Sequence, residues 1–221
     1  MERVLEPEVM DTPEEADGYD EMDHSAPNAA FVQRLVELGA GGRMLDIGTG
    51  PGHIPLLVCE HVDDAYVVGV DLAEHMLRHA RRHRDASPFK DRVEFQLGDA
   101  KGLPFPDASF DTVYSNTILH HIPDPQPFLA DAWRVLKPGG TLLIRDLFRP
   151  PTPERARELV QLHAAPATPY QQELFRASLC AALTPAELRE TAQQAGLEGA
   201  QVVVDTDRHM SLQLARTAVE S

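Results

Sequence analysis

The stretch Met44-Leu45-Asp46-Ile47-Gly48-Thr49-Gly50-Pro51-Gly52 decides how this chain folds. Residues 43–47 predict a short apolar strand that runs into a turn with glycines at alternate positions, and a helix is expected to begin near His53. Glycine adopts positive φ angles and lets a ligand approach the backbone closely, and the N–H groups at the start of the helix point toward the same place. The sequence therefore predicts a site for a polar, extended ligand at the carboxyl end of a strand, where open α/β sheets bind their ligands.

The spacing of the glycines distinguishes two classes of ligand. A dinucleotide-binding turn follows the pattern Gly-x-Gly-x-x-Gly, whereas the third glycine here comes one residue early and His53 occupies its place. Asp46 lies two residues before the first glycine. Its carboxylate suits a ligand that carries an ammonium group better than one that carries a pyrophosphate. A glycine turn that binds no ligand remains the alternative at this point.

The composition is that of an ordinary globular protein. The chain has 221 residues, of which 43% are hydrophobic and 25% are charged, and this length suits one domain with a sheet covered by helices on both faces. The net charge of −15 favours solubility and repels phosphate backbones, which argues against a nucleic-acid partner. Cys59 and Cys180 lie far apart and show neither metal-ligand spacing nor a disulfide framework.

The amino terminus does not have the pattern of a secretion signal, because its first residues are acidic and lack an apolar core segment. No apolar run approaches the ~18 residues that a membrane span needs. We therefore expect a cytoplasmic protein without a membrane partner.

From residue 43 onward, strand and helix patterns alternate, which predicts a parallel sheet. A short turn between the last two strands makes them antiparallel, and Lys137-Pro138-Gly139-Gly140 is expected to stop the helix of residues 125–136. The sequence predicts an α/β, Rossmann-like three-layer sandwich with a seven-stranded mixed sheet whose last strand is antiparallel. The predicted strands are 43–47, 66–70, 93–97, 110–115, 141–146, 201–205 and 209–214.

Two segments fall outside this alternation. Helices are predicted at about 13–22 and 28–38 before the first strand, and prolines divide residues 148–183 into helices at about 153–165 and 170–182. We expect one domain, 1–221, in which residues 1–40 form an amino-terminal helical lid and residues 150–183 form a helical insertion over the site. The alternative for the insertion is a structural excursion without a role at the site.

Acidic residues end the second and third predicted strands. A carboxylate at Asp71 is placed to accept hydrogen bonds from ribose hydroxyls, a feature of adenosine ligands in general. Asp99 is placed to accept a hydrogen bond from an adenine amine, with the N–H of Ala100 facing a ring nitrogen. Leu72 and Met76 can supply apolar contact to the adenine. The alternatives are a helix N-cap for Asp71 and a turn-forming role for Asp99.

These motifs occur in one order along the chain: Asp46-x-Gly48-x-Gly50-x-Gly52, Asp71, Asp99 and Lys137-Pro138-Gly139-Gly140. This order resembles the class I S-adenosylmethionine-dependent methyltransferases over about residues 12–147, and more loosely over the final two strands. The resemblance implies S-adenosyl-L-methionine as cofactor, S-adenosyl-L-homocysteine as product, and methyl transfer to a small-molecule acceptor. It also implies a cofactor site made of Asp46, Gly48, Thr49, Gly50, Asp71, Leu72, Met76, Asp99, Ala100 and Asn116.

The amino-terminal helices carry a further resemblance. The segment Ala16-x-x-Tyr19-Asp20-x-Met22 is similar to the lid of the ubiquinone/menaquinone methyltransferase group. This similarity adds Tyr19 to the residues expected to contact the cofactor.

The segment Asn116-Thr117-Ile118-Leu119-His120-His121-Ile122-Pro123 follows the fourth predicted strand. It resembles the loop of the small-molecule branch and lacks the Asn/Asp-Pro-Pro-Tyr/Phe motif of methyltransferases that act on DNA or glutamine amides. His120 or His121 is a candidate general base near neutral pH. The alternative is that one of the two histidines packs behind the site as a hydrogen-bonded support.

Further polar residues are candidates for binding the substrate. Arg145 and Asp146 end the fifth predicted strand, and an arginine there suits a carboxylate or phosphate, although an internal ion pair explains it equally well. Tyr170 is a weaker candidate. The chain has ten histidines, but His120-His121 is not a convincing ligand set, so no metal is expected.

Two other functions remain as alternatives to methyl transfer. A nicotinamide-dependent oxidoreductase fits poorly because the glycine spacing is wrong and no Tyr-x-x-x-Lys pair is present. A protein that binds S-adenosylmethionine without catalysis fits the same motifs. The accepting atom, whether oxygen, carbon, nitrogen or sulfur, and the oligomeric state are left open by the sequence.

Overall fold

A computed structural model describes residues 1–6, 12–20 and 24–216 of the chain, apart from the side chain of Glu15. Seven strands form one sheet in the order β3-β2-β1-β4-β5-β7-β6. The strands are β1 (Arg43–Ile47), β2 (Tyr66–Asp71), β3 (Val93–Leu97), β4 (Phe110–Asn116), β5 (Leu136–Leu147), β6 (Gln201–Val204) and β7 (His209–Leu214). The first five strands pair in parallel, whereas β7 is antiparallel to both β5 and β6. The predicted α/β fold with a mixed seven-stranded sheet is therefore confirmed.

Eight α-helices are described around this sheet: α1 (Pro13–Asp20), α2 (Ser25–Glu37), α3 (His53–His61), α4 (Glu74–Ala86), α5 (Pro125–Val135), α6 (Pro153–Ala164), α7 (Pro169–Ala181) and α8 (Pro185–Gln194). The predicted first helix is confirmed through Asp20, and the end assigned to it, residues 21–22, lies outside the described residues. No helix in the described part of the chain is long and apolar enough to cross a membrane.

The core has two layers because successive side chains of a strand point to opposite faces. On β1, Met44 belongs to a buried cluster with α2, α3 and α4, whereas Leu45 and Ile47 belong to the cluster on the other face with α5 and α8. Each layer is continuous along the sheet, so the central strands are covered on both sides, as parallel strands require. This covering leaves the carboxyl ends of the strands as the edge where a ligand can reach the backbone.

The order in which the chain adds strands to the sheet reverses between β1 and β4. β1 pairs in parallel with β2 on one side and with β4 on the other, so the chain connections leave in opposite directions from this point. The hydroxyl of Ser115 on β4 donates a hydrogen bond to the carbonyl of Ile47 at 2.7 Å, which holds the two strand ends side by side. The loops that follow β1 and β4 consequently form a crevice at the place where open α/β sheets bind ligands.

Two predicted boundaries were wrong. The helix α5 ends at Val135, and the strand β5 begins at Leu136, so the segment 137–140 lies in the strand instead of in a free loop. Gly139 has a φ of +74°, and the pairing of β5 with β4 shifts register between Phe110 and Thr112. The glycines therefore form an irregularity within the strand. The second helix begins at Ser25, earlier than predicted, because a proline at position 27 is compatible with a first helical turn.

The first six residues connect two parts of the molecule. The backbone N–H of Val4 donates to the carbonyl of Cys180 at 3.1 Å, and the guanidinium of Arg3 donates to carbonyls of Ala181, Ile122 and Pro123. This segment thereby joins α7 to the loop that follows β4, a connection that the sequence did not indicate.

Candidate functional site

A cavity opens at the carboxyl edge of the sheet, over the crevice between β1 and β4. Its walls come from the loops after β1, β2, β3 and β4 and from the amino-terminal helices. The lining residues from the strand ends include Gly48, Thr49, Gly50, Asp71, Leu72, Met76, Asp99, Ala100, Asn116, Ile118 and His121. Those from the amino-terminal segment are Tyr19, His24 and Asn28. The structure thus brings most of the residues predicted for the cofactor into one cavity.

Two glycines of the loop after β1 have different structural roles. Gly48 has a φ of +76°, and a Cβ atom at this position would lie 2.5 Å from Ile118 Cγ2, so only glycine lets the β4 loop approach so closely. Gly50 has a φ of +53°, and nothing lies within 4 Å of the position its Cβ would take. The backbone at Gly50 is therefore open toward a ligand, as the alternate-glycine pattern predicted.

Asp71 holds the glycine loop in place. Its Oδ2 accepts a hydrogen bond from the N–H of Gly50 at 2.7 Å, and its Oδ1 accepts one from the N–H of Ala73 at 2.9 Å, just before α4 begins. The N-cap of α4 is Ala73 and has no side-chain cap, so the N-cap alternative for Asp71 is wrong. A carboxylate oxygen has more than one lone pair, so these bonds leave capacity to accept hydrogen bonds from a ligand.

Asp46 does not line the cavity, although the sequence predicted a direct contact with the cofactor. The side chain is 2% exposed and its Oδ2 accepts a hydrogen bond from the Thr49 hydroxyl at 2.8 Å. Burial raises the pKa of the Asp46 carboxyl to about 8, the Thr49 bond opposes this change, and the nearby Asp71 charge adds to it. Asp46 is positioned to shape the loop through Thr49, because it lies at the end of a covered strand.

The far end of the cavity combines apolar and acidic groups. Leu72 is 41% exposed, Met76 is buried, and both line the wall together with Asp99 and Ala100. Asp99 accepts a hydrogen bond from the N–H of Lys101 at 2.8 Å, and this backbone bond, opposed by burial and assisted by the Lys101 ammonium, holds its pKa below the usual range. The turn-forming role of Asp99 is therefore confirmed, and its role as an acceptor for adenine stays a prediction.

The amino-terminal helices cover one side of the cavity. Tyr19 stacks on the imidazole of His24 with ring centroids 4.7 Å apart, and both residues face the cavity. Burial, with a smaller contribution from the Asp71 charge, raises the pKa of the Tyr19 phenol, which keeps it neutral. Met22, the other residue expected in this lid, lies outside the described residues. None of the lining residues comes from the insertion at 150–183, all of which is described.

The two histidines after β4 have separate positions. His121 lines the cavity, whereas His120 is 3% exposed and lies behind it. The Nδ1 of His120 is 2.7 Å from Asp146 Oδ1, and its Nε2 is 3.3 Å from Glu6 Oε1. Glu6 Oε1 also lies 3.1 Å from His121 Nδ1. His120 and Asp146 therefore lie behind the cavity, and this position favours the supporting role that remained open for one histidine.

The charges of this group are coupled. Burial disfavours a charge on His120, but the carboxylates of Asp146 and Glu6 outweigh burial and raise the pKa of its imidazole. Burial likewise opposes a charge on Asp146, but His120 and backbone N–H groups lower its pKa. Burial dominates at Glu6, whose pKa is raised. The arrangement is a buried histidine–carboxylate pair whose pKa shifts favour the charged forms, with a second carboxyl group on the cavity side.

The loop between β4 and these histidines is strained. Thr117 has a φ of +66°, a conformation that β-branched residues rarely adopt, and its N–H donates to the carbonyl of Arg145 at 2.8 Å. Such strain persists where surrounding structure fixes the backbone, and it occurs often at functional sites. The residues on either side of Thr117, Asn116 and Ile118, line the cavity.

Two predicted substrate residues lie away from the cavity. The Nε of Arg145 is 3.9 Å from Asp205 Oδ2 near β6, so the internal ion pair is the better description of this side chain. Tyr170 is 69% exposed in the first turn of α7 and does not line the cavity. Arg145 and Asp146 are adjacent on a strand and point to opposite faces, and neither side chain reaches the cavity.

Sequence reasoning missed Glu6, His24 and Asn28. Glu6 lies in a short segment without periodicity, and its contacts with His121 and with the Ser178 hydroxyl, at 3.2 Å, join positions far apart in the chain. His24 and Asn28 carried a weak signal, since the first turn of a helix next to the predicted lid is a place where polar side chains can face a ligand.

Known proteins resemble this chain most clearly over the central region. Residues 45–144 match the family described as "Methyltransferase domain". The chain is 39% identical over 132 residues to 27-O-demethylrifamycin SV methyltransferase of Amycolatopsis mediterranei, a match that covers 57% of this chain and 48% of that protein. It is 40% identical over 111 residues to demethylmenaquinone methyltransferase of Symbiobacterium thermophilum, with 50% and 44% covered. The chain spans about half the length of these curated relatives.

Solved structures share the whole fold. A protein of Methanococcus maripaludis, described as a candidate S-adenosyl-L-methionine-dependent methyltransferase, aligns with a TM-score of 0.76 at 19% identity over 98% of this chain and 99% of that chain. Phosphoethanolamine N-methyltransferase 2 of Haemonchus contortus, solved with S-adenosyl-L-methionine, aligns with a TM-score of 0.67 at 25% identity over 88% of this chain and 44% of that chain. In sequence over residues 45–144, and in fold over nearly its whole length, the chain therefore resembles the S-adenosylmethionine-dependent methyltransferases.

Proposed function

We propose that this protein transfers a methyl group from S-adenosyl-L-methionine to a small-molecule acceptor. The observation that carries the proposal is the composition of one cavity. It combines a glycine loop with an open backbone at Gly50 and two strand-end aspartates, Asp71 and Asp99. An adenosine with a short cationic chain presents hydroxyls, an amine and a positive charge, which such a cavity can accept.

The residues present fit this cofactor. Asp71 supplies an anionic acceptor for the ribose hydroxyls, and Asp99 with the backbone of Ala100 supplies the polar contacts for the adenine. Leu72 and Met76 supply apolar surface beside them. Gly48, Thr49, Gly50, Tyr19 and Asn116 would hold the methionine part, with Asp46 fixing Thr49 from behind. We assign no direct contact to Asp46, Asp146, Arg145 or Tyr170.

When bound, the cofactor supplies a methyl group on a sulfonium, which is already a good leaving group. The chain must therefore orient the acceptor in line with that methyl and exclude water, contributions that lower the barrier by several kcal/mol. His121 is the side chain placed to accept a proton from an acceptor that carries one. Glu6 orients His121 from its Nδ1 side, and the buried His120–Asp146 pair positions Glu6.

A small molecule is the partner class that fits best. Relatives of this chain are named as methyltransferases of demethylrifamycin, demethylmenaquinone and phosphoethanolamine, and all three of these molecules are small. The net charge of −15 disfavours nucleic acid, and the loop at Asn116 lacks the motif of DNA and glutamine methyltransferases. We propose that the protein works in the cytoplasm without a membrane partner.

The lid is part of this proposal. Residues 12–40, through Tyr19, His24 and Asn28, would close over the cofactor within a single domain of 1–221. The insertion at 150–183 would act through residues 1–6, which join α7 to His121. Hydrogen exchange tests this division: S-adenosyl-L-homocysteine should protect α1 and the glycine loop strongly. Protection confined to the glycine loop and the strand ends would contradict a lid in this place.

Methyl transfer itself is tested by a screen of metabolites that carry hydroxyl, amine, thiol or activated carbon acceptors, with release of S-adenosyl-L-homocysteine as the readout. His121→Asn is the informative variant, because loss of a general base lowers the rate about 100-fold or more while cofactor binding is kept. His61→Asn, at the end of α3, is the matched control. Turnover at the wild-type rate in His121→Asn would remove this residue from the mechanism.

A further inference from the structure

A cluster of histidine and aspartate side chains lies at the rim of the cavity, where α1 meets α3 and α4. It consists of Asp20 at the end of α1, His53 in the first turn of α3 and His83 near the end of α4, and one possible ligand atom of each lies within 4.8 Å of the others. Asp20 Oδ1 is 3.1 Å from His53 Nε2, and Asp20 Oδ2 is 3.4 Å from His83 Nε2. These three elements are brought together only by the fold.

The orientation of His83 is fixed by a backbone carbonyl. Its Nδ1 lies 2.9 Å from the carbonyl oxygen of Pro51, and because a carbonyl only accepts, this nitrogen carries the hydrogen. In the neutral ring, Nε2 therefore presents a lone pair to the carboxylate of Asp20. Two lone pairs that face each other repel unless a cation, either a proton or a metal ion, lies between them. A histidine held by a carbonyl at its other nitrogen is the usual arrangement of a metal ligand.

The carboxylate of Asp20 is likewise held in position by its neighbours. Its Oδ1 is buried and receives no hydrogen bond from the described residues, although His53 lies close to it. His79 supports the carboxylate from behind, with Nδ1 3.0 Å from Asp20 Oδ2 and Nε2 2.9 Å from Asp17 Oδ1. The exposed guanidinium of Arg82 also contacts Asp20 Oδ2, at 3.1 Å, and lies 2.7 Å from His79 Nδ1. A buried carboxylate oxygen without a hydrogen bond calls for an explanation.

We propose that Asp20, His53 and His83 form a binding site for a divalent cation of the zinc class. Two imidazole nitrogens and one carboxylate oxygen are ligands that Zn²⁺ prefers, and three such ligands leave a fourth position for water. The separations of Asp20 from the two histidine nitrogens, 3.1 and 3.4 Å, bracket the edge of a tetrahedron around zinc, which is about 3.3 Å for ligands at ~2.05 Å. The rings of His53 and His83 are stacked with their centroids 4.7 Å apart, so small side-chain rotations would bring both Nε2 atoms to one ion.

The ion would join the lid to the floor of the cavity. Tyr19, which lines the cavity, directly precedes Asp20, and His53 directly follows the glycine loop. Bound metal would restrain α1 over the cavity and thereby strengthen cofactor binding, and cofactor would strengthen metal binding by the same factor. This coupling rests on the proposed function, whereas the metal site rests on the side chains alone.

The metal site is tested by titration of the tag-free, chelator-treated full chain with Zn²⁺ in a calorimeter and with Co²⁺ in a visible spectrometer. We expect one ion per chain and the intense visible bands of tetrahedral Co²⁺. Asp20→Asn and His83→Gln should each weaken binding at least about tenfold, while His61→Gln, a histidine outside the cluster, should bind as the wild type does. The absence of stoichiometric binding to the wild-type chain would overturn the proposal.

A second cluster provides the sharper control. Glu6, His120 and His121 also lie within ligand distance of one another, so His121→Gln is titrated in parallel. Loss of the ion in His121→Gln, with binding intact in Asp20→Asn and His83→Gln, would overturn the assignment. The wild-type Co²⁺ spectrum and His83→Gln keep the test valid if Asp20→Asn does not fold.

The coupling has its own readout. Zinc should lower the dissociation constant of S-adenosyl-L-homocysteine several-fold in the wild type and leave it unchanged in His83→Gln. Zinc binding without this effect would overturn the coupling and leave the proposed function in place. A failure to bind S-adenosyl-L-homocysteine with or without zinc would instead contradict the proposed function, while the metal titration still decides the metal site.

Discussion

Asp71 accepts a hydrogen bond from the backbone N–H of Gly50 at 2.7 Å, which ties the end of β2 to the centre of the glycine loop. The other oxygen of the same carboxylate accepts from the N–H of Ala73 at 2.9 Å, before the first turn of α4. One side chain thus holds the glycine loop, contacts the backbone just before α4 and faces the cavity. A ligand that binds Asp71 meets a carboxylate whose direction is already determined.

Asp71→Ala should weaken binding of S-adenosyl-L-homocysteine by about 2–4 kcal/mol, because two charge-assisted hydrogen bonds to the ribose are lost. The maximal rate should change less, since this contact is equal in the ground and transition states. Calorimetry measures the first effect and saturated turnover the second. Asp63→Ala, at an exposed turn before β2, is the control, and an unchanged dissociation constant in Asp71→Ala would remove the residue from the site.

Gly48→Ala should disrupt the cavity. The added Cβ would lie 2.5 Å from Ile118 Cγ2, and the φ of +76° is a conformation that costs a non-glycine residue about 1–2 kcal/mol. We expect a destabilisation above that value in urea unfolding, together with loss of ligand binding, as the β4 loop moves. Gly18→Ala is the matched control, since nothing lies within 4 Å of its Cβ position in α1, and it should stabilise the protein by up to about 1 kcal/mol. Equal stability of both variants would contradict the packing described here.

Asp46→Asn should change how stability depends on pH. Burial raises the pKa of Asp46 to about 8 in the folded chain from 3.8, so the folded state binds the extra proton between these values. The stability of the wild type should therefore fall as pH rises from about 4 to 8, by up to about 1.4 kcal/mol per pH unit from this group. Asp46→Asn lacks this contribution, so its stability relative to the wild type should increase with pH. A difference that stays constant from pH 5 to 8 would contradict a protonated Asp46.

Asp146→Asn should destabilise the protein by about 3–5 kcal/mol near pH 6.5, because it leaves a buried imidazole without its charged partner. His120 has a raised pKa, so its contribution is present below about pH 6.5 and is lost as pH rises through the folded value. Asp146 has a lowered pKa, so its contribution is lost as pH falls through the folded value. Urea unfolding at several pH values should show a difference between wild type and variant that is largest between these limits. A loss of activity without this loss of stability would indicate direct contact of Asp146 with substrate.

The parts of the molecule that the sequence predicted well are local ones. The first strand, the glycine loop and the start of α3 at His53 follow from neighbouring residues, and Asp71 and Asp99 reach the cavity because parallel strands all end at the same edge. The capping box of Thr184 and Glu187 at the start of α8 is likewise readable from the chain itself.

The parts that could not be predicted depend on contacts between distant segments. Asp46 lies near a strand end, as predicted, but its side chain is buried within the covered sheet and does not line the cavity. His120 and His121 are neighbours in sequence. Only their contacts with Glu6 and Asp146, which are distant in sequence, distinguish His120 as the supporting residue from His121 as the candidate base. One feature of the sequence pointed to the cluster of Asp20, His53 and His83, namely the four-residue spacing of His79 and His83 on one helix face. The position of Asp20 was not predictable, because no local pattern shows where α1 packs.

Binding of S-adenosyl-L-homocysteine to the unmodified chain, measured by calorimetry and by the rise in melting temperature with ligand concentration, tests the central claim most directly. Binding to the folded state alone raises the melting temperature in proportion to the logarithm of ligand excess. We expect one site per chain, a concentration-dependent increase in melting temperature, and no effect of NAD or NADP. An increase with NADH and none with S-adenosyl-L-homocysteine or S-adenosyl-L-methionine would contradict the account.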